Sequence, residues 1–192
     1  LRYTLVTATA IGQDLFLSEE RFAAGRNFAN KLWNATRFVL NVAEGPRPKA
    51  EGQPSASGLR PPAYSVPDRW ILSRLQQTTA RVTKSLEAFQ FNDAASALYG
   101  FLWHDFCDWY VEIAKHVPAE QQPATRAILR HVLEQALRLL HPVMPFVTEE
   151  LWQRLTEGAP GRAASIMVAP WPKSSAKLVD REAERLFERL QA

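Results

Sequence analysis

RNFANKLWNATRF, Arg26–Phe38, is the stretch whose reading decides the fold. At 100° per residue, Phe28, Leu32, Ala35 and Val39 fall on one stripe, so the segment reads as a helix with a single buried side. Asn27, Asn30, Asn34, Arg37 and Asn41 fall opposite. Phe38 sits at the edge of that polar face, beside Lys31 and Asn27. Between Arg21 and Ala43 there are four basic residues and no acid. A solvated helix face usually mixes signs, so the imbalance needs a cause. Three fit the pattern: an ordinary solvated face with Phe38 tucked under a neighbouring loop, an acidic protein partner, or a phosphate backbone with an unstacked base on Phe38.

Outward from this helix the period stays helical. Ser18, followed by Glu19 and Glu20, reads as an N-cap with acids in the first turn, opening a helix that ends near Val42. Leu1–Ala10 is apolar and helix-like. Glu44–Pro67 is rich in Pro, Gly and Ser and reads as a flexible loop. Pro67-Asp68 suits a helix start, and Ile71, Leu72, Leu75, Val82, Leu86 and Phe89 keep helical spacing after it. Asn92 is placed as the cap of a third helix carrying Leu98, Leu102, Phe106, Trp109, Tyr110 and Ile113. A fourth spans about Ala124–Leu140, His141-Pro142 breaks it, and a short helix covers Pro145–Leu155. SIMVA, Ser165–Ala169, is the only strand-like run. Asp180–Leu190 is amphipathic and highly charged. Helices of this length with short joints imply an all-α antiparallel bundle. The expected core includes Phe28, Leu32, Val39, Leu75, Leu102, Trp109, Leu133 and Leu137.

Bulk properties narrow the function. The 192 residues are 46% hydrophobic, enough for one substantial core, and carry a formal net charge of +3. That charge alone argues only weakly for nucleic acid, so its placement must carry the case. A lone cysteine, Cys107, excludes an internal disulfide and fits a reducing cytoplasm. Nothing approaches the ~20 apolar residues of a membrane span. Leu1 is not an initiator methionine, and the chain reads as a piece of something longer.

Chemistry finds little foothold. The four histidines, at 104, 116, 131 and 141, form no HExxH, and one cysteine cannot build a zinc site. There is no GxSxG, GxxxxGK[ST] or GxGxxG. Trp103–His116 carries Asp105, Asp108 and Glu112 among aromatics. Their spacing suits acids that bond neighbouring polar groups better than a catalytic carboxylate pair. Cys107 reads as a small buried hydrophobe. No catalytic residue and no metal ligand is assigned.

Longer stretches carry a resemblance. LRYTLVTATAIGQDLFLSEERFAAGRNFANKLWNATRFVLN resembles the segment after the catalytic domain in the valyl-tRNA synthetase family of class I aminoacyl-tRNA synthetases. FCDWYVEIAK, LLHPVMPFVTEELWQRL and SIMVAPWP resemble later segments of that family in the same order, leaving only Glu44–Pro67 unmatched. GQD at Gly12–Asp14 and FCDWY at Phe106–Tyr110 are valyl-like, although isoleucyl and leucyl relatives share the bundle.

The resemblance implies a helical-bundle anticodon-binding domain over 1–158 and a C-terminal extension over 159–192 leading toward a coiled-coil arm. It implies that the opening helix faces the anticodon loop of a tRNA. Lys31, Asn34, Arg37 and Phe38 are then the expected contacts, with Asn30 and Arg26 beside them. Arg37 and Lys31 would meet phosphates or base edges, Asn34 a base edge, and Phe38 a base plane. The family's HIGH- and KMSKS-type signatures are absent. The parent's ATP and Mg therefore belong to a catalytic domain that this chain lacks, and the chain is expected to bind RNA without charging it. A cytoplasmic monomer joined to that catalytic domain is implied. An isoleucyl-type domain and a helical protein-interaction module without an RNA role are the alternatives.

Overall fold

The computed structural model describes residues 1–8, 18–43 and 64–191, and these form an α-helical bundle with no strand among them. The GQD motif and residues 44–63 of the expected loop lie outside the described residues. The helices are α1 (Arg2–Ala8), α2 (Glu19–Ala43), α3 (Val66–Glu87), α4 (Phe91–Tyr99), α5 (Val111–Ala114), α6 (Gln122–Leu140), α7 (Pro145–Leu155) and α8 (Arg181–Gln191). A π-helical segment, Gly100–Tyr110, joins α4 to α5 without a break.

The start of α3 lies one residue before the expected Pro67. Ser65 caps it, and its hydroxyl accepts from the Asp68 amide at 3.4 Å. The Asp68 carboxylate returns the contact by accepting from the Ser65 amide at 3.2 Å. This reciprocal capping box satisfies donors that the first turn cannot pair internally. The same carboxylate is buried in the bundle, where its Oδ1 accepts the Tyr110 hydroxyl at 2.6 Å and the Thr125 hydroxyl at 3.3 Å. One side chain thus fixes where α3 begins and ties it to the π segment and to α6.

Contacts set the directions. Asp68 with Tyr110, and Arg74 with Asp105 at 2.8 Å, run α3 antiparallel to the α4–α5 helix. Trp152 Nε1 donating to Glu134 at 2.9 Å, with Arg130 donating to the Leu155 carbonyl, runs α7 antiparallel to α6. Between them lie the fully buried Phe28, Leu32, Leu75, Leu102, Phe106, Leu133 and Leu137. Val39 is buried as well, so the expected stripe of α2 is core. Gly25 lets α1 approach α2 closely, since a Cβ there would lie 3.1 Å from Thr4 Oγ1 and 3.3 Å from the Tyr3 ring.

Three expectations are corrected. Trp109 is 37% exposed rather than core. An α-helical wheel sets it about 20° from Leu102, within the buried stripe, but the wider i→i+5 winding rotates it outward, where its ring meets Phe187 edge-on at 5.8 Å. The helix placed at Asn92 starts at Phe91 with Gln90 as N-cap, because Phe89 takes a left-handed turn, φ 57°, just before it. SIMVA is no strand. Ile166–Val168 is a 3₁₀ turn capped by Ser165. Glu149 of α7 draws it into this coil by accepting from Ser165 Oγ at 2.7 Å and from the Ile166 amide at 3.3 Å.

The chain beyond α7 returns to the bundle. Phe187 of α8 stacks on Trp70 of α3 with centroids 3.8 Å apart, and Glu184 bonds Ser73 and Gln77. Among the described residues no helix is long and apolar enough to cross a membrane.

Candidate nucleic-acid interface

Packing of α2 against the π segment, α6 and α7 leaves one side of it to solvent. Arg26, Asn27, Asn30, Asn34, Arg37 and Asn41 are all exposed there, as the 3.6-residue period dictates. Neither Arg26 nor Arg37 has an ion pair among the described residues. The stripe therefore offers two guanidinium groups and four amides along the outer face of one helix. Guanidinium forks bind phosphate or the edge of guanine, and amides pair with base edges through one donor and one acceptor.

Lys31 is placed differently. Its ammonium pairs with Asp108 and lies 4.0 Å from the centroid of the Trp103 ring. Asp108 also takes His104 Nδ1 at 3.3 Å. Trp103 and Asp108 are five residues apart, which in an α-helix would turn them about 140° from each other. The π winding brings both to Lys31, and no α-helical wheel could show that. The acids of Trp103–His116 do bond neighbouring polar groups, as expected: Asp105 takes Arg74 and Glu112 takes Lys115 at 2.7 Å.

Phe38 is half-buried and packs against the core rather than standing clear of it. Lys115 lies over its ring, 5.6 Å from the centroid. On the other flank Trp33 carries the Arg154 guanidinium at 5.0 Å, and Arg154 is itself paired with Glu150. These flanking cations come from the C-cap of α5 and from α7, and could not be read from α2 alone. The only hint was Trp33, a large ring outside the apolar stripe.

The other chemistry-bearing groups are structural. Burial pushes the Cys107 thiol up to about 12, although the nearby Lys31 opposes this. It is therefore a protonated apolar side chain and not a nucleophile. Burial holds the His131 imidazole below its ordinary range, with Arg138 adding to the effect against Glu134.

The family described as "Anticodon-binding domain of tRNA ligase" matches residues 68–192. The chain is 46% identical over 188 residues to the valine–tRNA ligase of Laribacter hongkongensis, covering 95% of this chain and 19% of that protein. It is 43% identical over 192 residues to the valine–tRNA ligase of Thermotoga maritima, covering 99% and 20%. For that of Geobacter sulfurreducens the figures are 48% over 177 residues, 90% and 19%. The chain thus spans about a fifth of the length of these curated relatives. Its fold is shared with a LeuRS from Agrobacterium radiobacter K84, solved in a ternary complex with tRNA and LeuAMS. The TM-score is 0.67 at 21% identity, over 93% of this chain and 20% of that one. Helix α2 precedes the matched family region but lies inside the stretch shared with the three ligases. This chain belongs to the family of anticodon-binding domains of tRNA ligases.

Proposed function

We propose that the outer face of α2 reads the anticodon loop of a valine-accepting tRNA, as part of a longer enzyme that joins valine to that tRNA with ATP and Mg. The observation that carries this reading is the exposed, acid-free stripe of Arg26, Asn30, Asn34, Arg37 and Asn41. Family membership supports the anticodon as its target, and the names of the relatives support valine as the amino acid. Arg37 and Arg26 meet phosphates or base edges, Asn34 and Asn30 meet base edges, and the accessible part of Phe38 takes a base plane. Lys31 joins the contact only by exchanging Asp108 for an RNA phosphate.

Activation of valine is assigned to a catalytic domain of the parent chain. In this reading the parent is a cytoplasmic monomer, with the bundle over 1–158 and an extension from 159 toward a coiled-coil arm. The test is a titration of the chain with valine and isoleucine anticodon stem-loops at several salt concentrations. Tighter binding of the valine stem-loop, with log affinity falling linearly with log salt, is the expected result. Salt-independent or absent binding removes the proposal. Preference for the isoleucine stem-loop moves it to the sister specificity.

A further inference from the structure

Three cation–ring contacts border α2 among the described residues, and in two of them α2 supplies the ring. Arg154 of α7 lies 5.0 Å from the Trp33 centroid, and Lys115, the C-cap of α5, lies 5.6 Å from that of Phe38. Trp33 is one helical turn from Asn30 and Arg37, and Phe38 is one turn from Asn34 and Asn41. The two rings are five residues apart, which turns them about 140° from each other around the helix. They therefore stand at opposite edges of the exposed strip, with its amides and Arg37 between them.

Both rings are half-buried against the core, whereas both cations are exposed. A ring fixed by packing attracts a cation to its face, so each charge is kept beside the strip instead of trailing into solvent.

Each cation also meets one carboxylate, which offsets it in the free chain. Arg154 Nε donates to Glu150 Oε1 at 2.7 Å, and Nη2 lies 2.6 Å from the same oxygen. Lys115 Nζ donates to Glu112 Oε1 at 2.7 Å. All four side chains are between 40% and 56% exposed, and exposed pairs of this kind contribute little, so phosphate can displace the carboxylate. Donors remain for it as well. Arg154 Nη1 has no hydrogen-bond partner among the described residues, and stacking on Trp33 occupies the face of the guanidinium but not its edge. Lys115 carries three N–H donors, of which Glu112 takes one.

Resting on the reading of α2 as the anticodon face, we propose that the RNA contact is three-sided. Arg154 and Lys115 grip phosphates on either side of the strand that lies on α2, each exchanging its carboxylate for phosphate. Lys115 uncovers the Phe38 ring for a base as it moves. Arg154 stays stacked on Trp33 and turns its free edge to phosphate, so Trp33 is its positioning residue.

The test titrates the 192-residue chain with the valine anticodon stem-loop at several salt concentrations. Arg154→Ala and Lys115→Ala should each weaken binding about tenfold at low salt and flatten the salt slope by about one unit. Both cations are exposed, so the unliganded variants should keep the wild-type circular dichroism. Arg185→Ala, on the exposed side of α8 where that helix packs on α3, removes an equal charge and should leave the slope unchanged. Glu150→Gln should tighten binding about threefold, and the gain should vanish in the Arg154→Ala background, because it acts through that guanidinium. The proposal is overturned if either cation variant keeps the wild-type slope, if Arg185→Ala flattens it equally, or if the Glu150→Gln gain survives without Arg154. In each of these cases wild type still binds, and the reading of α2 stands. A wild-type chain that does not bind the stem-loop removes that reading and the wider contact together.

Discussion

Asp108 holds Lys31 in an ion pair across 77 residues of sequence, with the Trp103 ring on the lysine's other side. The acid that Arg21–Ala43 lacks in sequence is supplied to it in space, at one edge of the proposed RNA face. If RNA phosphate and Asp108 compete for Lys31, Asp108→Asn should tighten stem-loop binding and steepen the salt slope by about one unit. Stability should change by less than about 1 kcal/mol, since both side chains are partly solvated, 26% and 41% exposed. An unchanged slope would mean that Lys31 stays outside the RNA contact.

Phe38→Ala separates packing from recognition. The ring is half-buried against the core, so its removal should cost stability, about 1–2 kcal/mol, below the loss for a fully buried Phe. If a base stacks on it, affinity for the stem-loop should also fall about 10–100-fold. Denaturant unfolding and RNA titration on the same variant give both numbers. A stability loss with unchanged affinity would assign Phe38 to the core alone.

Arg37 is exposed with no ion pair among the described residues, so Arg37→Ala should leave folding intact. If it meets a phosphate, the salt slope flattens by about one unit; if it forks onto a base, discrimination between stem-loops falls while the slope holds. Wild-type behaviour in both respects removes Arg37 from the interface.

Tyr110→Phe tests the buried link between α3 and the π segment. The lost donor leaves Asp68 Oδ1 with only the longer Thr125 contact, 3.3 Å, inside the bundle. A hydrogen bond to a charged acceptor contributes about 1.5–3 kcal/mol, which is the expected loss in urea unfolding. A loss below about 0.5 kcal/mol would show that the link is dispensable.

Glu149 gives a pH-dependent prediction. Partial burial pushes its carboxyl up, but donors from Ser165, Gln153 and the Ile166 amide, with His141 nearby, bring it below its ordinary 4.5. A carboxyl depressed in the folded state adds stability that is complete above 4.5 and is lost as pH falls through the lower folded value. Wild type should therefore exceed Glu149→Gln in stability at neutral pH, with the gap narrowing as pH falls below 4.5. A gap that stays constant as pH is lowered from neutral to the onset of acid unfolding would give the stabilisation to packing rather than to charge.

The sequence by itself determined the helices and most of the core. Helical spacing is a local property: a stripe such as Phe28, Leu32, Ala35 and Val39 can be buried only on one side, whatever covers it. The same periodicity sent Arg26, Asn30, Asn34, Arg37 and Asn41 outward, so the candidate face was legible before any coordinates. The resemblance supplied what that face would read. What only the tertiary structure decided are relations between residues far apart in the chain. Asp108 neutralises Lys31, Lys115 covers Phe38, and Arg154 covers Trp33. The π winding explains why the core placement of Trp109 failed and why the convergence on Lys31 had no local sign. It changes the angle between residues 103 and 108, and it turns Trp109 out of a stripe that 100° steps place in the core. A wheel assumes one winding and sees one helix, whereas charge pairing and ring contacts depend on which helices the packing sets side by side.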